Sequence, residues 1–161
     1  KRSETMSDIR MKSRIHKKQN KCDMVIIDYL QLTSESKDKN RNREQEIAQM
    51  SREAKILAKE LDVPVILLSQ LNRNVETRTD KTPLLSDLRE SGAIEQDADI
   101  VAFIHRPEYY GEEVEDKEGR IIKNYGVLIV AKNRNGRTGK AKFLHDGTLT
   151  KVYDYPISTR S

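Results

Sequence analysis

Several positions in this 161-residue chain join a residue type to a neighbourhood suited to phosphate chemistry. In Cys22-Asp23-Met24-Val25-Ile26-Ile27-Asp28-Tyr29-Leu30-Gln31-Leu32 an apolar run meets a carboxylate at Asp28. A short continuous apolar run reads as a strand buried on both faces of a parallel sheet. A carboxylate at its C-terminal end lies where such sheets place ligands. In nucleotide hydrolases this is the Walker-B position, whose Asp holds Mg²⁺ through its water shell. The plain alternative is an Asp that ends a strand and caps the next turn. Gln70 closes a second such run, Val63-Pro64-Val65-Ile66-Leu67-Leu68-Ser69-Gln70. Parallel strands would bring Asp28 and Gln70 to one edge, where an amide can bond a γ-phosphate or an attacking water. The alternative is a Gln that satisfies a loop.

Lys132 and Arg134 flank Asn133 before Asn135-Gly136. Residues two apart on a strand share a face, so the two cations project together, an arrangement suited to charge on a transferring phosphoryl group. An ordinary basic hairpin tip has the same spacing. Arg89-Glu90-Ser91-Gly92 offers a countercharge and a glycine that admits close backbone approach to phosphate. It reads equally as the start of a helix with a surface Arg. Glu90, Glu95, Asp97 and Asp99 have no spacing that suggests a second metal, and His16, His105 and His145 are scattered. Tyr109-Tyr110 suits either base stacking or a loop. The phosphate-cradling Gly-x-x-x-x-Gly-Lys-Ser/Thr pattern does not occur.

The elements that must position these residues are legible in part. Residues 3 to about 20 predict a surface helix capped by Ser3 or Ser7, with His16-Lys17-Lys18 as its solvated end. Residues 33–43 are polar and predict a loop. Asn42 and Gln45 make a capping box, and Ile47, Met50, Ala54, Leu57, Ala58 and Leu61 recur at helical spacing, predicting a helix over 43–61. Strands are predicted at 23–32, 63–70, 100–105, 125–132, 140–144 and 149–153. Residues 71–86 are polar, 85–98 read as a loop and short helix, and 107–124 as a disordered excursion. Asn135-Gly136 predicts a hairpin turn. The expected class is α/β, with a mostly parallel sheet and a C-terminal antiparallel hairpin.

The length suffices for one domain with a core. A net charge of +4, from 30 basic and 26 acidic residues, is too mild to argue nucleic-acid binding by itself. One Cys excludes an internal disulfide and a Cys-rich metal site. No apolar run is long enough to cross a bilayer, so a cytoplasmic location is expected. A start at Lys-Arg-Ser rather than Met leads us to expect a piece of a longer protein.

Taken in order, Val25 to Leu32, Val65 to Arg73, Leu85-Ser86-Asp87-Leu88-Arg89-Glu90-Ser91-Gly92-Ala93-Ile94-Glu95-Gln96-Asp97-Ala98-Asp99, and Ala131 to Gly136 with Thr138-Gly139 resemble the C-terminal half of the RecA-like motor domain of bacterial replicative DNA helicases, the DnaB family. The resemblance covers residues 5–155, and its Arg89–Asp99 block is the most specific part. It implies a partial RecA-like sheet, here the C-terminal portion of a helicase ATPase domain over 1–161. It implies a hexameric ring that hydrolyses ATP with Mg²⁺ and moves 5′→3′ on single-stranded DNA, with primase and a helicase loader as partners. Asp28 would then be the metal-site residue and Gln70 the link between γ-phosphate and DNA loops. Lys132 and Arg134 would be the pair given in trans to a neighbour's nucleotide, and Arg89, Glu90 and Gly92 the DNA-contacting loop. Arg137 stands where the family pattern has Pro. The phosphate loop and the catalytic Glu are expected upstream, so the 161 residues alone are expected to be inactive. Alternatives are a non-enzymatic single-strand-binding subunit, and a RecA-like recombination or phage helicase relative.

Overall fold

The computed structural model describes residues 4–28, 43–148 and 150–156, with the backbone alone at 43–44 and 89–93. The predicted loop at 33–42 and the Asn42 cap lie outside them. The chain forms two compact units, Lys1–Asn72 with Leu88–Ala98, and Arg73–Asp87 with Asp99–Ser161.

In the first unit, helix α1 spans Met6–Lys18. Its cap is Thr5, rather than Ser3 or Ser7. Asp8 N–H donates to Thr5 Oγ1 at 3.0 Å and Thr5 N–H to Asp8 Oδ2 at 3.2 Å, so two otherwise orphaned donors are satisfied reciprocally. His16, Lys17 and Lys18 occupy the last turn, where cations complement the helix dipole. Helix α2, Arg43–Leu61, matches its predicted span, and Ile47, Met50, Ala54, Leu57 and Leu61 are its buried stripe. It ends because Asp62 turns left-handed (φ 48°) and Val63 N–H donates to Ala58 O at 3.2 Å. Strands β1, Val25–Ile27, and β2, Val65–Leu67, pair in parallel, with Val25 opposite Val65 and Ile27 opposite Leu67. Pro64, which has no N–H to give, still accepts from Val25 N–H at 3.0 Å.

The core of this unit joins Met6, Ile27, Ile47, Met50, Ala54 and Ile94, with Val25, Val65 and Leu67 packed on it; Leu57, Leu61 and Val63 form a second cluster. Ile94 comes from α3, Gly92–Asp97. Burial on both strand faces was expected, yet Ile26 is 61% and Ile66 41% exposed. The residues described cover one face only.

The second unit is an antiparallel meander of β3 (Ile100–His105), β4 (Tyr125–Asn133), β5 (Gly139–His145) and β6 (Val152–Asp154). The class is α/β as expected. Parallel pairing is confined to β1 and β2, because β3 pairs with β4 rather than with β2. Val101, Phe103, Tyr125, Val127 and Ile129 share the buried face, while Ile100 and Ile104 point the other way and are exposed. Gly126 is required where it stands: a Cβ there would lie 2.2 Å from the Phe143 ring, which crosses the strand at the paired position.

Two polar stretches are ordered where loop or disorder was expected. In 71–86, Arg78 grips Asp87 through both carboxylate oxygens (3.1 and 3.0 Å) and also donates to Thr82 O at 2.8 Å. In 107–124, a short 3-10 helix, Pro107–Tyr110, ends at Gly111 (φ 71°), and an Asp116–Arg120 turn is closed by a bridge between Glu115 and Ile121. Hydrogen bonds within the segment order it without apolar periodicity.

Candidate functional site

Asp28 follows β1 directly and is exposed. Gln70 lies three residues past β2, also exposed, and makes an interaction of its own. Because the strands are parallel and in register, Asp28 and Gln70 leave them at the same end, and Leu68 N–H extends the ladder to Ile27 O at 3.0 Å. This is the edge at which open parallel sheets bind ligands. Among the described residues no group of three His, Cys, Asp or Glu is placed to hold a metal.

Lys132 and Arg134 belong to the second unit. Val101 is opposite Lys132 and Ala102 opposite Val130, so Ala131 is an extra residue, a β-bulge. Val130 shares the face of Ala102, Ile104 and Leu128, whereas Lys132 shares the face of Val101. The bulge thus transfers Lys132, and Arg134 two residues on, to the opposite face from Val130. Their shared direction follows from spacing; the face does not. Arg134 N–H donates to Asp99 O at 2.8 Å, and its Nη1 lies 3.3 Å from Asp99 Oδ1.

The turn beyond these cations differs from expectation. Pairing of β4 with β5 ends at Val130 and Gly139, leaving 131–138 as the connection, and neither Asn135 nor Gly136 has positive φ. The two-residue turn predicted from Asn-Gly is replaced by a wider loop organised by Asn133. Its Nδ2 donates to Arg137 O at 3.3 Å and its Oδ1 accepts from Asn135 N–H at 3.3 Å. A Cβ on Gly136 would come within 2.6 Å of Asn133 Nδ2.

Arg89 and Glu90 lie in a 3-10 segment, Leu85–Ser91, kinked at Leu88, and Gly92 opens α3. Their backbone is therefore helical rather than an irregular loop, and their side chains are outside the description.

Three features escaped the sequence reading. Asp99 partners Arg134. The buried His145 places Nε2 3.0 Å from Glu108 Oε1 and Nδ1 2.9 Å from Asp146 O. His105, also buried, stacks on Tyr110 at 5.9 Å between centroids, while Tyr109 meets Tyr110 edge-on and stays 67% exposed. Burial pushes the His105 imidazole below its ordinary range. Cross-strand pairing alone reveals these partners; no local signal marks them.

Comparison with known proteins gives a consistent result. The chain is 52% identical over 134 residues to the replicative DNA helicase DnaB of Geobacillus stearothermophilus and to the replicative DNA helicase DnaC of Bacillus subtilis strain 168, covering 83% of this chain and 28% of each relative. It spans under a third of their length. Among solved structures it is similar to an isolated ATPase domain (TM-score 0.82, 41% identity, 95% of this chain and 52% of that one). It is similar also to a DnaB-like replicative helicase described with its primase interactions (TM-score 0.83, 42% identity, 95% and 36%). The α/β arrangement is that of these RecA-like helicase domains. The DnaB-like helicase C-terminal domain family matches residues 1–154, nearly the whole length, and the chain belongs to that family.

Proposed function

We propose that the chain is the C-terminal portion of the motor domain of an ATP-dependent replicative DNA helicase, a hexameric ring that moves 5′→3′ on single-stranded DNA and unwinds the duplex at the fork. The observation that carries this reading is the parallel register of β1 and β2, which delivers Asp28 and Gln70 to one strand end. A single exposed carboxylate fits Mg²⁺, which keeps most of its waters and takes further oxygens from bound phosphates. Asp28 would hold that ion with the nucleotide, and the ion would neutralise charge on the phosphates. Gln70 reports the γ-phosphate to the DNA-contacting segment of Arg89, Glu90 and Gly92. Lys132 and Arg134, on one face of the β4 end, donate to the phosphates bound by the next subunit.

On this reading the phosphate loop and the general base belong to the part of the motor domain outside these 161 residues. That part would also cover the exposed Ile26, Ile66 and Leu68. Partners are single-stranded DNA, further copies of the same protein, primase and a helicase loader, in the cytoplasm. No described helix is long and apolar enough to cross a membrane.

The test is ATP hydrolysis by the full-length protein with and without single-stranded DNA. DNA-stimulated turnover is expected, abolished by Arg134→Ala with nucleotide binding retained, and absent from the 161-residue chain alone. Normal turnover in Arg134→Ala, or hydrolysis by the isolated chain, would overturn the reading.

A further inference from the structure

Arg134 is held by its own chain. Asp99 immediately precedes β3 and Arg134 immediately follows β4, and the pairing of Ile100 with Asn133 makes the two cross-strand neighbours. The 2.8 Å hydrogen bond from Arg134 N–H to Asp99 O locks the backbones together, and the 3.3 Å contact of Nη1 with Oδ1 joins the side chains. The ladder therefore fixes where the carboxylate stands, and the carboxylate limits where the guanidinium can swing.

We propose that Asp99 is a positioning residue: it aims Arg134 at the phosphates of the neighbouring subunit's nucleotide. The inference rests on the trans role given to Arg134 above. Three physical facts support it. An arginine side chain has large rotamer freedom, and a planar fork works only when oriented. A guanidinium carries five N–H donors, enough to serve a carboxylate and a phosphate together. Finally, the two side chains are 49% and 50% exposed, a setting in which an ion pair adds little to folding stability. Its consequence is orientation, and the contact is weak enough to adjust when a phosphate arrives. The bulge at Ala131 acts in the same direction, since it turns Lys132 and Arg134 onto the face of Val101, which Asp99 shares.

The test uses the full-length hexamer with Asp99→Asn, which keeps size and removes charge, Asp99→Ala, and Asp99→Glu, which restores charge. In Asp99→Asn, kcat for DNA-stimulated ATP hydrolysis is expected to fall about ten- to a hundredfold, with KM for ATP within about twofold of the parent. Asp99→Glu recovers most of the loss. Fluorescent mant-ADP binds Asp99→Asn as it binds the parent, but the tightening on adding fluoroaluminate, which mimics the transferring phosphoryl group, is lost. If Asp99→Ala does not assemble, Asp99→Asn carries the comparison.

In rings mixed with Asp28→Asn subunits, Asp99→Asn turnover exceeds that of either parent ring, because an intact pocket then meets an intact finger. Parent-like kcat in Asp99→Asn and Asp99→Ala overturns the proposal. A rise in KM alone, or a loss that Asp99→Glu does not recover, also overturns it. Arg134→Ala measured alongside separates the two levels. Normal turnover there defeats the trans role itself, whereas a dead Arg134→Ala beside a normal Asp99→Asn defeats only the positioning role.

Discussion

The two units build their sheets by opposite routes. In the first, β1 and β2 are parallel because α2 forms the crossover between them, and the helix then covers one strand face. In the second, β4, β5 and β6 follow one another through short connections, so the pairing is antiparallel. Both sheets nonetheless carry apolar residues on an exposed face: Ile26 and Ile66 in one, Ile100 and Ile104 in the other. A continuous apolar run therefore records a strand whose both faces suit burial. It does not record which neighbour supplies the cover, or the direction of the adjoining strand.

Substitutions can break this comparison in graded steps. Leu57→Ala should have the largest effect, since Leu57 is fully buried in the cluster with Leu61 and Val63. A loss of about 2–5 kcal/mol is expected from urea unfolding. A loss under about 1 kcal/mol would mean that α2 is not the cover of the parallel strands. Gly126→Ala tests the other sheet. The new Cβ must displace the Phe143 ring, costing about 1–3 kcal/mol. Because a ring can rotate away where backbone cannot, Phe143→Ala in the same chain should recover most of that cost. Strict additivity in that double-mutant cycle would show that the ring is not the obstacle.

A smaller, pH-dependent term belongs to the second unit alone. Burial lowers the His105 pKa, opposed by Glu112 and Asp80 and reinforced by Lys140. The unfolded chain thus binds this proton more readily than the folded one. The favourable neutral state is complete above the ordinary histidine range, about 6.5, and stability is lost as pH falls below it until the folded group itself titrates. Thermal melts from pH 7.5 down to 5 should fall more steeply for the parent than for His105→Phe, which keeps the stack on Tyr110. Parallel slopes would refute this. The smallest effects should come from the exposed faces. Ile26→Thr and Ile104→Thr are each expected to change stability by within about 0.5 kcal/mol. A larger loss in either would show that its face is covered within this chain.

Most of what the sequence determined is local. The 3.6-residue spacing of Ile47, Met50, Ala54, Leu57 and Leu61 places α2 and its buried stripe. The apolar runs place the strands, and the run into Asp28 and the run into Gln70 mark the candidate site before any pairing is known. The two-residue period puts Lys132 and Arg134 on a common face. Such patterns survive in one dimension because helix and strand periods repeat within a few residues. Only the tertiary structure decided which face that is, because the bulge at Ala131 exists only against β3. It alone disclosed that Asp99 grips Arg134, and that β3 joins β4 and not β2. These outcomes depend on which distant segment supplies the next row of hydrogen bonds, a choice that the spacing of neighbouring residues does not encode.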